Sequence, residues 1–259
     1  MIRKVTQVRR FGAVILAMLA ISAGASESPK GTGSTDNAEP KVFRTFAKVD
    51  VGTSGEVIGV VAESRLDPDI GAAVERSVRQ LSYSPAQVNG KPVTGSTFVY
   101  LMGCAAPTDG GRYRLAFDYR SHGPKLLGIV HPTYPPSALR AGAEGAFLVQ
   151  VAVQPDGTAR LDKIMLSKGN VRALKTFTPA IEGWVNALRY DPERVDGKGV
   201  PTTVQVPLEF SMGSSERLSQ IVKKDNRESD ACQVAFGRER ERKQESLALN
   251  SPFTVKPGG

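Results

Sequence analysis

The chain has 259 residues, which suits one large or two small domains. Its formal net charge is +8, but the first 25 residues contribute four bases and no acid, which leaves +4 for the rest. The remaining bases alternate with acids, as in residues 238–242, and this pattern is typical of a solvated helix face. Together with the export signal described next, it argues against nucleic-acid binding.

The N-terminus has the pattern of an export signal. Four basic residues precede an apolar run over residues 11–25, which ends in Ala-Gly-Ala, a small-residue cleavage site. The run of 15 residues is shorter than the roughly 20 that a membrane span needs. We predict a cleaved signal peptide over residues 1–25, with a retained signal anchor as the alternative. A flexible polar leader over residues 26–41 and a periplasmic mature chain without a membrane span complete this prediction.

A repeated stretch predicts two copies of one module. The sequences AVERSVRQLSYSPAQVNGKPV (residues 73–93) and AIEGWVNALRYDPERVDGKGV (residues 180–200) match at ten of 21 positions without a gap. In both copies the apolar residues recur with the spacing of one face of an amphipathic helix. This stripe comprises Ile70, Val74, Val78 and Leu81 in the first copy and Phe177, Ile181, Val185 and Leu188 in the second.

The start of each helix is predicted from a proline. Asp67-Pro68 and Thr178-Pro179 each resemble an N-cap residue followed by proline at the first helical position. Each helix should end near the tyrosine of the Tyr-x-Pro sequence that follows, since the residue before a proline disfavours helical geometry.

The segments that flank the helices alternate between apolar and polar residues, which predicts strands. In the second copy, Pro155-Asp156-Gly157 supplies a hairpin turn between two of them. Each copy is therefore predicted as β-β-α-β, and the fold class as α+β with helices on one face of antiparallel sheets. The predicted strands cover residues 46–51, 56–63 and 97–101, a possible extra strand 113–120, and then 147–153, 159–166 and 203–210.

Residues 132–210 carry a family resemblance. Tyr-Pro, Gly, Glu-Gly, an alternating strand, Asp-Gly, a helix, aromatic-x-Pro and a strand ending in Phe follow one another. This order resembles the C-terminal domain of TonB, the energy transducer of the Gram-negative envelope. The resemblance implies a fold of two tandem TonB C-terminal-like modules, a degenerate one over residues 42–106 and a fuller one over residues 130–212. A connecting segment (107–129) and a charged, partly helical tail (213–259) complete the chain; the tail either packs on the first module or protrudes.

The resemblance also implies a partner. TonB C-terminal domains bind outer-membrane receptors, a short receptor segment adding to the sheet as a strand while residues around Tyr-Pro help to hold it. Pro207 lacks an N–H and so predicts that the last strand is an edge strand. The alternatives are that Tyr134 packs under its own module and that the tail or the other module covers this edge. The predicted partner-binding residues are His131, Pro132, Tyr134, Pro135, Thr203, Val204, Gln205 and Glu209.

The two cysteines, Cys104 and Cys232, predict one disulfide in an oxidising compartment, with two buried thiols as the alternative. No catalytic residue, cofactor or metal site is predicted. The chain has two histidines, no Cys-x-x-Cys and no Gly-x-Ser-x-Gly, and residues 196–199 lack the Ser or Thr of a phosphate loop. The predicted function is a periplasmic interaction module that supports TonB-type transport and is not an enzyme. The alternatives are an envelope scaffold that reuses the fold and an energy transducer with a retained anchor.

Overall fold

The structure is a computed structural model, and it describes residues 40–108, 112–212, 232–233 and 248–256. The predicted signal peptide, nearly all of the predicted leader and most of the predicted charged tail lie outside these residues. None of the described helices is long and apolar enough to cross a membrane.

The first half of the described chain forms a twisted antiparallel sheet with one helix against it. Its elements are β1 (Lys41–Val51), β2 (Val57–Ala62), α1 (Pro68–Val78), β3 (Tyr83–Ser84), β4 (Ala86–Val88), β5 (Lys91–Val93), β6 (Gly95–Thr108) and β7 (Arg112–Gly123). β1 pairs with β2 on one side and β6 on the other, and β7 pairs with the far side of β6. The extra strand predicted over residues 113–120 is thus β7, and β6 is longer than predicted.

A connecting segment that follows the first half contains β8 (Lys125–Leu126). The second half has a smaller sheet. Its elements are α2 (Pro136–Arg140), β9 (Gly145–Val153), β10 (Ala159–Lys168), α3 (Val171–Ala187), β11 (Tyr190–Asp191), β12 (Arg194–Val195), β13 (Lys198–Gly199) and β14 (Thr202–Phe210), with β15 (Thr254–Val255) in the tail. The sheet has the strand order β10-β9-β14. The molecule is therefore α+β, as predicted, and mostly sheet.

The two long helices begin in different ways. Asp67 caps α1 by accepting a hydrogen bond from the backbone N–H of Asp69, and Pro68 follows at the first helical position, as predicted. The predicted start of α3 at Thr178-Pro179 is wrong, because the helix begins at Val171 and Pro179 lies inside it. Asn170 provides the cap instead, its side chain accepting from the N–H of Ala173 at 2.9 Å.

Proline is tolerated inside α3 because the helix continues the apolar stripe towards its N-terminus. Ala173 and Phe177 are both buried against the sheet, so the first turns are stabilised by packing. Pro179 removes one backbone hydrogen bond of the helix ladder. The hydroxyl of Thr178 donates to the carbonyl of Leu174 at 2.8 Å, one turn before Thr178 itself.

The core of the second half lies between α3 and the sheet. β9 alternates strictly between buried and half-buried residues, as the sequence predicts, with Phe147, Val149, Val151 and Val153 facing α3. The predicted hairpin turn follows at residues 154–158, where the N–H of Gln154 donates to the carbonyl of Thr158 at 2.8 Å.

The core of the first half is completed by residues from elsewhere in the chain. Val195 pairs with Gly95 through β12 and is buried in this core. Phe253 and Val255 of the tail are buried in the same core. The expectation that each module buries its helix against its own sheet therefore holds for the helices, whereas the first core also needs β12 and the tail.

Short strands are exchanged between the two halves. β8, which follows the first half, pairs with β11 of the second half, and the N–H of Leu127 donates to the carbonyl of Arg189 at 2.7 Å. β15, which follows the second half, pairs with β3 of the first, and the N–H of Lys256 donates to the carbonyl of Ser82 at 2.9 Å. Each half is thus closed by a segment that follows the other one.

A disulfide joins the tail to the first sheet. Cys104 lies in β6 and is bonded to Cys232, with a sequence separation of 128 residues, and both residues are buried. Closing a loop of this size restricts the unfolded chain strongly.

Removing this crosslink should lower stability. We expect the double change Cys104→Ser and Cys232→Ser to reduce the free energy of unfolding by about 4–5 kcal/mol, the value of the chain-entropy model for a loop of this length. Urea denaturation of both proteins under oxidising conditions measures the difference. With reductant present, the stability of the unchanged protein should fall to about that of the variant. Equal stability of the two proteins under oxidising conditions would contradict the expectation.

The helix stripe of the second core can be tested by one truncation. Leu188 is 1% exposed at the end of α3, so Leu188→Ala should leave a cavity and cost about 2–5 kcal/mol. Leu139→Ala is the matched control, because Leu139 is 56% exposed and its truncation should be nearly neutral. Thermal unfolding of the two variants distinguishes them, and a neutral Leu188→Ala would mean that the stripe is misassigned.

Candidate functional site: the outer edge of the second sheet

β14 is an edge strand of the second sheet. It pairs with β9 in antiparallel register from Thr202 opposite Val153 to Phe210 opposite Gly145. Among the described strands it has no other ladder partner, and this arrangement suits Pro207, which has no N–H to donate. The side chains of Val204, Val206, Leu208 and Phe210 lie in or against the core.

The tail covers one end of this edge. Val204 forms a β-bridge with Ala248, and the N–H of Leu249 donates to the carbonyl of Thr203 at 2.8 Å. The N–H of Thr203 donates to the Oδ1 of Asn250 at 2.5 Å. Both backbone groups of Thr203 are therefore already bonded within the chain.

Thr203 also fixes which backbone groups point outwards. In an antiparallel strand the N–H and C=O of one residue face the same side, and neighbouring residues face opposite sides. Because the backbone groups of Thr203 face the tail, those of Gln205, Pro207 and Glu209 face the same outer side of the strand. The backbone groups of Val204 face β9, and its side chain is buried, with the residue only 6% exposed. Glu209 consequently offers both a donor and an acceptor, and Pro207 offers an acceptor alone.

Tyr134 packs under its own module. Its hydroxyl donates to the carbonyl of Ala143 at 2.5 Å, and its ring meets those of Phe177 and Phe210 edge to face, each at 5.5 Å. Desolvation, with a smaller contribution from the charge of Glu144, raises the pKa of the Tyr134 hydroxyl. This residue therefore fixes the approach to the sheet at the Phe210 end of β14.

The residues around Tyr134 are held in place but differ in exposure. Pro135 takes the N-cap position of α2, and Pro136 follows at its first position, so the consecutive prolines start this short helix. Pro132 is half-buried and His131 is exposed. Upstream, the indole N–H of Trp184 donates to the carbonyl of Val130 at 2.7 Å and ties the segment to α3.

The predicted partner-binding residues thus form two groups at opposite ends of β14. The Tyr134 group lies beside Phe210, and Thr203 and Val204 lie beside the tail. The seven residue steps between Thr203 and Phe210 correspond to roughly 23 Å of strand. Only Gln205 and Glu209 lie between these ends with outward backbone groups and outward side chains.

One functional residue of the interior escaped prediction from the sequence. Glu193 is fully buried, and its carboxylate accepts hydrogen bonds from three hydroxyls that belong to different parts of the chain. The donors are Thr97 in β6 at 2.6 Å, Thr202 in β14 at 2.9 Å and Ser251 in the tail at 2.7 Å. In the repeat alignment Glu193 corresponds to Ala86. This mismatch between a charged and an apolar residue was the only sign in the sequence that Glu193 has a special role.

The polar interior beside Glu193 also contains tyrosines and a histidine. Burial is the main cause that raises the pKa values of Tyr83 and Tyr119, and the charge of Glu193 adds to both shifts. The Nε2 of His122 lies 2.8 Å from the carbonyl oxygen of Phe253, which connects β7 to the tail. Among the described residues, no group of three His, Cys, Asp or Glu side chains could hold a metal ion.

This geometry defines a class of protein: a helix packed on a three-stranded antiparallel sheet whose last strand is an edge, preceded by a Tyr-Pro segment. Residues 130–212 match the family described as "Gram-negative bacterial TonB protein C-terminal". A solved structure, the solution NMR structure of the Pseudomonas aeruginosa TonB CTD, is 24% identical and covers 35% of this chain and 88% of its own, with a TM-score of 0.28. No curated protein matched the chain.

The role of Glu193 can be tested by two substitutions. Glu193→Ala would leave three buried hydroxyls without their acceptor, and we expect a loss of about 2–4 kcal/mol in the free energy of unfolding. Glu193→Gln should cost less, because the amide keeps the volume and one acceptor oxygen. Glu182→Ala on the exposed face of α3 serves as the control. Urea denaturation gives the order of stability of the three variants. A Glu193→Ala variant as stable as Glu182→Ala would show that Glu193 does not hold the three parts together.

Proposed function

We propose that this chain is a periplasmic protein-interaction module, exported by its N-terminal signal, that binds a short extended segment of an outer-membrane receptor. The segment adds as a strand to β14. TonB C-terminal domains interact with outer-membrane receptors, and the family match of residues 130–212 supports the same class of partner here. The observation that carries the proposal is the outer edge of β14 from Pro207 to Phe210, which no described strand covers.

We further propose that the first half is a degenerate second copy of the same module. Matching turn geometry supports this. Gly55 and Gly157 both have positive φ, 88° and 82°, and each accepts a 2.8 Å hydrogen bond at its carbonyl from the N–H of Tyr83 or Tyr190. A Cβ at either glycine would lie about 2 Å from that tyrosine's carbonyl oxygen, so both positions need glycine.

The strand registers agree as well. In the first sheet Val51 faces Gly95 and Ala47 faces Val99. In the second sheet the residues at the corresponding positions of the repeat form the corresponding pairs: Val153 faces Thr202, and Val149 faces Val206.

The two copies differ at the edge that matters for binding. β6 corresponds to β14, and β7 pairs with its outer side from Phe98 to Thr108. The first module therefore acts as a brace whose docking edge is filled in cis. The second module retains the partner-binding role, and β7 illustrates that this edge geometry accepts an additional strand.

A scaffolding role without receptor binding is the second candidate. The observation that favours it is the shortage of free donors on β14, since the N–H of Thr203 is bonded to Asn250 and Pro207 has none. An edge with few donors is also protected against uncontrolled sheet growth.

Receptor binding by strand addition can be tested at Glu209. Glu209→Pro removes an outward N–H, and we expect it to weaken binding of a receptor-derived peptide by roughly fivefold to tenfold with little change in stability. Glu209→Ala keeps the backbone donor and is the matched control. Synthetic peptides from outer-membrane receptors, titrated by calorimetry, provide the affinities.

The location of the docking edge can be measured by adding the same peptides to the protein and recording NMR spectra. The backbone amides of Gln205 and Glu209 should shift on addition of peptide, while those of β10 on the far edge should stay unchanged. If the β14 amides do not move, or if no receptor peptide binds at all, receptor binding at this edge is wrong and the scaffolding role is favoured.

A further inference from the structure

The tail residues 248–256, which we name the strap, are held unequally along their length. The second part is fixed in the interior: Phe253 is 1% exposed, Val255 is 7% exposed, and the hydroxyl of Ser251 donates to Glu193 at 2.7 Å. The backbone of this part also pairs with β3, where the N–H of Lys256 donates to Ser82.

The first part of the strap lies at the surface on the outer edge of β14. Leu249 is 50% exposed and Asn250 is exposed, although Ala248 is buried. Their contacts with β14 are a β-bridge and two hydrogen bonds to the backbone of Thr203. These contacts satisfy the edge in the manner of a very short added strand.

We propose that residues 248–250 are an internal competitor for the docking edge. They hold the Thr203 end of β14, and a partner strand that reaches Gln205 must displace them while the part from Ser251 onwards stays anchored. Because the competitor is part of the same chain, its effective concentration is high and the apparent affinity for such a partner is lowered. This inference rests on the proposed strand addition at β14 and concerns its regulation.

The competition should depend on the length of the partner. A short segment that pairs only from Pro207 to Phe210 lies beyond the described contacts of the strap, so its binding needs no displacement. A longer segment that reaches Thr203 exchanges strap contacts for its own. The strap therefore selects for short docking segments or for partners that bind strongly enough to displace it.

The test uses the full mature chain and two variants of the strap. Leu249→Pro combined with Asn250→Ala removes both hydrogen bonds to Thr203, and Leu249→Ala keeps both and is the control. The probes are two synthetic peptides from one segment of an outer-membrane receptor, one of about six residues and one of about ten. We expect the double variant to bind the long peptide about tenfold more tightly and the short peptide unchanged.

A second measurement needs no variant. In the unchanged protein, the long peptide should speed hydrogen exchange of the Leu249 amide, whereas the Lys256 amide should stay protected. We expect this difference because the peptide displaces the first part of the strap, which contains Leu249, and leaves the second part, which contains Lys256, in place.

The outcomes are separable. If both peptides bind but neither affinity depends on the strap and Leu249 exchange is unaffected, the competition is overturned and strand addition stands. If neither peptide binds any form, strand addition itself fails and the competition fails with it. If the double variant unfolds, Asn250→Ala alone and the exchange measurement decide between the first two results.

Discussion

The buried carboxylate of Glu193 is the interaction on which the arrangement of this molecule depends. It accepts hydrogen bonds from Thr97, Thr202 and Ser251, which belong to the first sheet, the second sheet and the strap. A carboxylate that is removed from water is costly unless its acceptor positions are satisfied. The three hydroxyls satisfy it only when all three parts are in place, so this contact couples the two halves and the strap into one folding unit.

The exchange of short strands extends this coupling along the chain. β8 closes the second half and β15 closes the first, and each follows the other half in the chain. The core of the first half is incomplete by itself, since Val195 and Phe253 are buried in it. A protein built this way holds the β14 edge on a rigid base, which favours recognition of a partner by backbone geometry.

The docking edge illustrates how one geometry serves two purposes. In the first half the edge of β6 is filled by β7, which adds a strand of 12 residues to the sheet. In the second half the edge of β14 is only partly covered, and Pro207 together with the strap limits what can pair with it. An open edge is a hazard for aggregation and an opportunity for recognition, and the number of exposed donors decides between these outcomes.

Local patterns in the sequence determined the helices, the alternating strands, the Asp67 cap and the family of residues 130–212, because each depends on neighbours within one turn, one strand or one motif. The start of α3 was missed because burial of Phe177 outweighs the local signal of Thr178-Pro179. Tertiary structure alone decided the packing of Tyr134 under its own module, the burial of Glu193 and the docking of the strap on Thr203. These contacts join residues that are far apart in the chain, and no periodicity or spacing records such a pairing.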